Sequence, residues 1–308
     1  MRSLRWGIGG LGIAIAAFAC STSDREPPGG GLPMPPAAAG PGAGERSVPI
    51  SGGTLLVLDS ARVLASDPDR DRLVFASITG GGPHAVALEA GDEPGRAAVA
   101  PDGTVAVALR GADALLFTTS SGSILARVPT CRAPRGVAFD AADGAFHVAC
   151  ADGDLWSFDA GSHAPVRKLR VAEDLRDVIA TGDRLLVSTF RSAEVFAVSR
   201  DGVVTGASRA ASAGAEMVPT VAWRMQPLPG GGALMVHQSA TSASIEIAPP
   251  TEGFDSPAYG GDLGSDDCEG AILVSATSVF DAEGNRVTAE GLARLGSLGL
   301  PVDIAVCP

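Results

Sequence analysis

Short apolar runs separated by polar turns fill the chain from residue 51 onwards, and they recur at a regular spacing. The segment that begins at Glu93 aligns with a segment that begins at Ala133 and with another at Asp174, at offsets of 40 and 41 residues. Each copy then continues through a polar turn, such as Pro101-Asp102-Gly103, into a second apolar run. Two apolar runs joined in this way predict a β-hairpin.

A third and a fourth run complete each copy. In the copy that begins at Glu93 they are Ala114 to Thr118 and Ile124 to Val128, with the turn Ser120 to Ser123 between them. Four short strands per unit, none able to bury both faces alone, are the arrangement of a propeller blade. The sequence therefore predicts an all-β fold, a β-propeller of four-stranded antiparallel blades with a WD40-like repeat.

Further copies extend the pattern in both directions. We place an earlier copy near Arg62, with its first turn at Ser66 to Arg72 and its second strand at Leu73 to Ile78. A fifth copy begins near Val218 and turns at Pro229 to Gly232. Strand-like runs resume after residue 270, which favours about six or seven blades.

The last residues, Pro301 to Pro308, match the first strand of a blade and leave two alternatives. Either this strand closes the ring against an N-terminal strand, Thr54 to Asp59, or the reading frame ends prematurely and the propeller is incomplete.

The repeat resembles that of the YVTN or YncE-like family of bacterial propellers, which reads roughly P-x-G-V-A-V-x-P-D-G followed by a V-A strand and a V-x-V strand. The likeness extends from Arg62 to about Arg209 and is specific for fold, because such repeats carry unrelated functions. It implies about seven blades and an exported role in binding or assembly more often than catalysis. Similar propellers in secreted bacterial proteins are fused to c-type haem modules, which gives one alternative function.

The first 19 residues have the pattern of an export signal. Arg2 and Arg5 provide a charged start, and the apolar run Trp6 to Phe18 is too short to cross a bilayer as a helix. Ala17-Phe18-Ala19 fits a small-x-small cleavage site. We therefore predict a signal peptide at residues 1–19.

Cys20 follows this site, so the end of the signal resembles a bacterial lipobox, whose cysteine is lipidated and becomes the mature N-terminus. Lipoboxes usually have Leu where this chain has Ala17, so ordinary cleavage that leaves a free thiol is the alternative. Residues 20–50 are rich in Pro, Gly and Ala, which predicts a disordered tether before a propeller at residues 51–308. We expect a periplasmic or outer-membrane lipoprotein of a bacterium.

The charge of the chain limits its partners. Acidic residues outnumber basic residues by 35 to 23, for a formal net charge of −12. This balance disfavours nucleic acid and direct attraction to an anionic membrane, so we expect membrane contact through the lipid anchor only. We expect the protein to be a monomer.

Two cysteine pairs are candidates for disulfides in an oxidising compartment. Cys131 precedes the first strand of its copy and Cys150 ends the second, and a hairpin about Asp140 to Gly144 brings these two ends together. Cys150 as a buried small residue is the alternative. Cys268 and Cys307 form a second candidate pair, although nothing local fixes their separation.

Arginines recur near one end of the predicted blades. Arg135 and Arg176 open the first strands of their copies, whereas Arg96 is displaced by one position and is expected to face the other way. Arg110 and Arg191 each follow a second strand. Loops before first strands and after second strands emerge at the same end of a propeller, so we expect Arg110, Arg135, Arg176 and Arg191 around one mouth of the channel. There they would hold a small anionic ligand or an acidic protein segment.

A purely structural role is the alternative for Arg110 and Arg191, as ion pairs with Asp113 and Glu194 of their own loops. His237, at the end of a second strand, is a further candidate ligand contact, with a satisfied structural histidine as its alternative.

Catalytic and cofactor motifs are missing from the sequence. It contains no C-x-x-C, C-x-x-C-H, G-x-S-x-G or phosphate-binding glycine loop, and its four histidines lack ligand spacing. We therefore predict no catalytic residue, no metal and no cofactor, and a non-enzymatic binding or protein-interaction module. The alternatives are the propeller part of a truncated c-type haem protein and a metal-dependent propeller lyase or lactonase.

Overall fold

A computed structural model describes residues 55–242, 272–287, 302–304 and 306. The predicted signal peptide, Cys20, the tether and the candidate pair Cys268–Cys307 lie outside these residues. Within the described part, none of the helical segments is long or apolar enough for a membrane crossing.

Twenty strands in the described residues form five four-stranded antiparallel sheets, which we number in chain order. The first sheet has one short 3₁₀ helix, Pro68–Arg70, and the strands β1 (Leu55–Val57), β2 (Arg62–Asp67), β3 (Arg72–Ser77) and β4 (His84–Ala87). The second has β5 (Pro94–Val99), β6 (Thr104–Leu109), β7 (Ala114–Thr119) and β8 (Ile124–Pro129). The third has β9 (Pro134–Asp140), β10 (Ala145–Cys150), β11 (Asp154–Asp159) and β12 (Pro165–Arg170).

The last two sheets follow the same order. The fourth has β13 (Leu175–Thr181), β14 (Arg184–Thr189), β15 (Glu194–Ser199) and β16 (Val204–Arg209). The fifth has β17 (Met217–Pro227), β18 (Ala233–Thr241), β19 (Leu273–Phe280) and β20 (Arg286–Val287). In every sheet each strand pairs with the next one along the chain, as expected where short polar turns join successive apolar runs.

The five sheets are the blades of a β-propeller. Their first strands contact one another in series, β5 with β9, β9 with β13 and β13 with β17, so these are the inner strands around a channel. Strands β6 and β10, in the middle of their sheets, are buried along their whole length because each sheet is covered on both faces by its neighbours.

Apolar layers between neighbouring blades hold the propeller together. Phe117 of the second blade meets Phe146 and Phe158 of the third edge to face, with ring centroids 5.7 and 6.3 Å apart. Similar buried clusters join the first blade to the second, the third to the fourth and the fourth to the fifth. Burial of this kind is the main stabilising contribution in a repeat fold, because no blade covers its own faces.

The sequence placed the second, third and fourth blades correctly but misassigned the first. The runs near Arg62 and at Leu73 to Ile78 are the second and third strands of their sheet, not the first and second. The innermost strand is β1, which lies within the segment Thr54 to Asp59 and pairs with β2. This is the segment against which, in one of the two alternatives for the chain end, Pro301 to Pro308 closes the ring. The polar turns within one blade have similar sequences. The sequence assignment took the second turn of this blade for the first, so it numbered each strand one place too low.

The runs after residue 270 become β19 and β20, which are the third and fourth strands of the fifth blade. The described residues hold five four-stranded blades. The prediction of about six or seven blades, with the last one possibly incomplete, concerns the whole chain, part of which lies outside the described residues.

Candidate functional site

Four inner strands bring arginines from successive blades to one end of the channel. Arg96 lies on β5, Arg135 on β9, Arg176 on β13 and Arg224 on β17. We use "mouth" for the surface formed here by Arg110, Arg135, Arg176, Phe190, Arg191 and Trp223.

A sharp bend precedes three of these strands at equivalent positions. Glu93, Ala133 and Asp174 have φ values of 47°, 48° and 58°, in the left-handed region that residues other than glycine seldom adopt. The repeated bend directs the start of each inner strand towards the mouth. It also leaves the Glu93 and Asp174 carboxylates next to the loops that follow the second strands, because Arg110 N donates to Glu93 O and Phe190 N to Asp174 O.

Asp174 binds two arginines of the mouth. Arg135 Nη1 donates to Asp174 Oδ1 at 2.7 Å, and Arg191 Nε donates to Asp174 Oδ2 at 2.7 Å. Partial burial would raise the pKa of Asp174, but the hydrogen bonds from Arg191 and Arg135 hold it below its usual value. One carboxylate is thus shared between two cations.

Arg176 differs from its neighbours because no carboxylate of the described residues lies within ion-pair distance of it. Its Nε donates to the carbonyl oxygen of Trp223 at 3.3 Å. Burial, together with the nearby Arg96 cation, lowers the pKa of Arg176 to about 10, so the side chain still carries its charge at neutral pH. A half-buried guanidinium with unused donors has the geometry to receive a carboxylate.

Two aromatic rings support the arginines of the mouth. The guanidinium carbons of Arg135 and Arg176 lie 5.3 and 4.9 Å from the centre of the Phe190 ring. Trp223 meets Phe190 edge to face, with centroids 5.7 Å apart. Cation–π contacts of this kind restrict both side chains before a ligand arrives, which reduces the entropy lost on binding.

Arg96 reaches from the second blade to the fourth and fifth blades, and it is buried where Arg135 and Arg176 are only partly buried. It is buried and bonds Asp177 of the fourth blade through Nη1, while its Nη2 donates to the Trp223 carbonyl oxygen of the fifth blade at 2.7 Å. Arg224 lies 3.9 Å from the same Asp177 carboxylate and 3.3 Å from Asp303.

Asp177 is the buried anion of this network. Its Oδ2 also accepts a hydrogen bond from Met225 N at 3.0 Å. Burial alone would raise the pKa of Asp177, but the Arg96 and Arg224 cations hold it below its usual value. The carboxylate is therefore ionised, and it neutralises the buried Arg96.

A cavity of about 200 Å³ lies between the inner strands of the third, fourth and fifth blades. Its walls include the apolar side chains of Val137, Ile179 and Met225, together with Asp177 and Arg224. The propeller therefore keeps open space in its channel beside the buried ion pair.

The mouth contains the four arginines predicted from the sequence, but two of them have other partners than expected. Arg110 bonds Glu93 at 2.8 Å instead of Asp113, and Arg191 bonds Asp174 instead of Glu194. The loop after each second strand packs against the start of the first strand of the same blade. Glu93 and Asp174 at that bend therefore lie nearer to these arginines than Asp113 and Glu194 do.

His237 is not part of the mouth surface, so its expected ligand contact is corrected. The side chain is completely buried in the fifth blade, and its Nε2 is 2.9 Å from Ser278 Oγ of the neighbouring strand β19. Burial lowers the pKa of His237 to about 4. The residue is therefore buried within its blade, with a hydrogen-bond partner for Nε2 but none for Nδ1 among the described residues.

The structure contains a disulfide between Cys131 and Cys150, with Cα atoms 5.9 Å apart. It ties the segment that enters β9, and so the start of the strand that carries Arg135, to the end of β10.

Sequence reasoning missed Asp177, Phe190 and Trp223. Asp177 directly follows Arg176, but its main partner is 81 residues away, and the Trp223 carbonyl is 127 residues from Arg96. The one available signal was that Asp177 occupies the repeat position of Arg96, so that opposite charges stand at equivalent places on two inner strands.

Comparison with known proteins shows the fold. No family model and no curated protein matches this chain. Kuenenia stuttgartiensis hydrazine synthase superposes with a TM-score of 0.58 at 16% identity, over 78% of this chain and 66% of that one. The WD40 domain of Neurospora crassa Pan2 superposes with a TM-score of 0.54 at 10% identity, over 79% of this chain and 64% of that one.

A lyase is also among the structural neighbours. A catalytically inactive virginiamycin B lyase from Staphylococcus aureus, solved with quinupristin, has a TM-score of 0.52 at 11% identity, over 77% of this chain and 83% of that one. The chain thus spans about two thirds of the hydrazine synthase and Pan2 chains. At these identities the neighbours, which include a WD40 domain and a lyase, establish the β-propeller fold alone.

Proposed function

We propose that this protein is an exported, lipid-anchored, non-enzymatic β-propeller of the bacterial cell envelope, on the periplasmic side or at the outer membrane. Its mouth binds an anionic ligand, either an acidic segment of a partner protein or a small anion. The signal-like N-terminus, Cys20 and the Pro/Gly-rich tether support the location. The structural neighbours support binding only in so far as the same fold serves interaction modules.

The observation that carries the proposal is the uneven charge of the mouth and the adjoining ion-pair network. Five of the six guanidiniums there share four carboxylates, and the sixth, Arg176, has no acidic partner in the described part of the chain. The Arg176 guanidinium therefore has donors left for an added anion, which its charge would attract and orient.

A binding titration tests this function. A fluorescein-labelled hexaglutamate peptide, followed by anisotropy with the mature protein, should bind more weakly at higher salt because the attraction is electrostatic. Arg176→Gln should weaken binding by about tenfold or more, because a charge-assisted hydrogen bond is lost. Displacement of the peptide by citrate would favour a small anion over an acidic protein segment.

Arg184→Gln is the matched control. Arg184 begins β14, at the opposite end of the strand from Phe190, and its partner is the exposed Asp183. The control should bind the peptide like the wild type. Equal affinity of the wild type and Arg176→Gln would refute the assignment of the mouth.

A further inference from the structure

The turn between β9 and β10 brings together three side chains with metal-ligating atoms. Asp140 ends β9, Asp143 lies in the turn and His147 lies on β10, and one ligand atom from each falls within 4.8 Å of the other two. Asp140 and His147 are buried, whereas the Asp143 side chain is 29% exposed. The cluster is open to solvent on one side only.

His147 has a nitrogen that nothing in the described structure satisfies. The residue is completely buried, its Nδ1 is 2.9 Å from Ser157 Oγ, and its Nε2 has neither a hydrogen-bond partner nor access to solvent. An unmet buried polar atom costs about 1–3 kcal/mol. His147 Nε2 is one of nine such side-chain atoms among the described residues, and His147 is the histidine among them that has two carboxylates beside it.

An arginine from the next blade forms ion pairs with the two carboxylates of the cluster but does not bond the histidine. Arg200, just after β15, bonds Asp143 through Nη1, and the same atom is 3.6 Å from Asp140 Oδ2. Its Nη2 donates to Gly182 O. Arg200 therefore occupies the position of a cation between the carboxylates while His147 Nε2 remains unused.

We propose that Asp140, Asp143 and His147 form a binding site for a divalent transition-metal ion such as Zn²⁺, for which Arg200 competes. The ion would take one oxygen from each carboxylate and Nε2 of His147, with water from the Asp143 side as the fourth ligand. Bonds of about 2.0–2.2 Å in a tetrahedral site place ligand atoms roughly 3.4 Å apart, so from separations within 4.8 Å the ligand atoms would approach one another by up to about 1.4 Å.

Ser157 and the charges of the site support this assignment. A histidine that binds metal through one nitrogen usually has its other nitrogen held by a hydrogen bond, which Ser157 provides here. Two carboxylates and a neutral imidazole match the charge of a divalent ion once Arg200 has moved out. Removing the arginine should therefore strengthen metal binding, whereas a site unrelated to this cluster would not respond.

Zinc titration of the mature protein, with free thiols alkylated, tests the proposal. Isothermal calorimetry should give one site for the wild type, and zinc should raise its melting temperature because the ion binds only the folded state. Arg200→Gln should bind zinc several-fold more tightly, and His147→Gln and Asp143→Asn at least tenfold more weakly. Asp183→Asn, an exposed acid in the turn before β14, is the control and should bind like the wild type.

Several results would overturn the proposal. One is a zinc affinity of His147→Gln equal to that of the wild type. Another is weaker zinc binding by Arg200→Gln than by the wild type. A third is no zinc binding by either the wild type or Arg200→Gln. If His147→Gln does not fold, the turn variant Asp143→Asn decides, because its side chain is partly exposed and its loss leaves the core intact. Zinc binding to that variant with unchanged affinity would equally refute the site.

Discussion

Gly136 shows at the residue scale what the close approach of the inner strands requires. A Cβ atom built on this residue would lie 2.7 Å from Asp177 Cα and 3.0 Å from Arg176 O of the neighbouring blade. Those atoms belong to backbone and do not yield easily. The missing side chain at Gly136 therefore allows β13 to hold Arg176 and Asp177 in their places.

We expect Gly136→Ala to lower the free energy of unfolding by about 1–3 kcal/mol, as other overpacked sites do. Urea unfolding followed by circular dichroism measures this loss. Gly206→Ala on β16 is the matched control, because a Cβ there meets nothing within 4 Å, and it should change stability by less than about 1 kcal/mol. Equal stability of the two variants would contradict the close packing.

The buried histidines predict a fall in stability on mild acidification. The pKa values of His147 and His237 are lowered to about 4, from an ordinary value of 6.5. As the pH falls below 6.5, the two histidines bind protons in the unfolded chain. In the folded protein the same histidines bind protons only near pH 4. The stability contributed by each neutral histidine is thus complete above pH 6.5 and is lost progressively below it, by about 1.4 kcal/mol per pH unit.

Urea unfolding at pH 7.5, 6 and 5 in the presence of EDTA measures this slope. The double variant His147→Gln, His237→Gln should have a shallower dependence on pH over the same range. A slope equal to that of the wild type would mean that other groups cause the acid sensitivity.

At the scale of single elements, the disulfide of the third blade closes the hairpin β9–β10. Its cysteines are 19 residues apart in the sequence. A loop of this length stabilises a fold by about 3 kcal/mol in the chain-entropy model. The bond also holds the segment before β9, where the chain bends sharply at Ala133 on its way to Arg135.

Replacement of both cysteines, Cys131→Ser with Cys150→Ser, should therefore lower the free energy of unfolding by about 3 kcal/mol. Denaturant titration of the double variant beside the oxidised wild type measures this. The reduced wild type serves as a control, because it should lose a similar amount without a change of sequence. A variant as stable as the oxidised protein would show that hairpin pairing alone holds this segment.

Elements with a clear local pattern could be predicted from the sequence, and elements defined by distant contacts could not. The strands of the second to fourth blades follow from apolar runs with polar turns at a fixed period, and Arg135 and Arg176 follow from their place in that period. Asp177 and Trp223 form the centre of the site through partners more than forty residues away. No local pattern encodes such contacts, because they depend on how the blades meet.

At the scale of the whole molecule, the proposed export and anchoring depend on the N-terminal residues. Cells that express the chain and are fed labelled palmitate should incorporate the label into the wild type and not into Cys20→Ser, because the thiol is the acylated group. Fractionation should then find the wild type with membranes and the variant in the soluble periplasmic fraction. Label in the Cys20→Ser protein, or an unlabelled wild type, would contradict lipidation.

The Arg96 contact to Asp177 and to the Trp223 carbonyl has a consequence for how this chain can evolve. Repeat proteins change length by copying or deleting units, which works where each unit interacts only with its neighbours. Here the second blade supplies one buried cation, and the fourth supplies the matching anion. A duplicated second blade would add a buried guanidinium without an acid to neutralise it. Loss of the fourth blade would remove Asp177 and leave the Arg96 guanidinium buried without its partner. We therefore expect this buried ion pair to disfavour gain of the second blade and loss of the fourth.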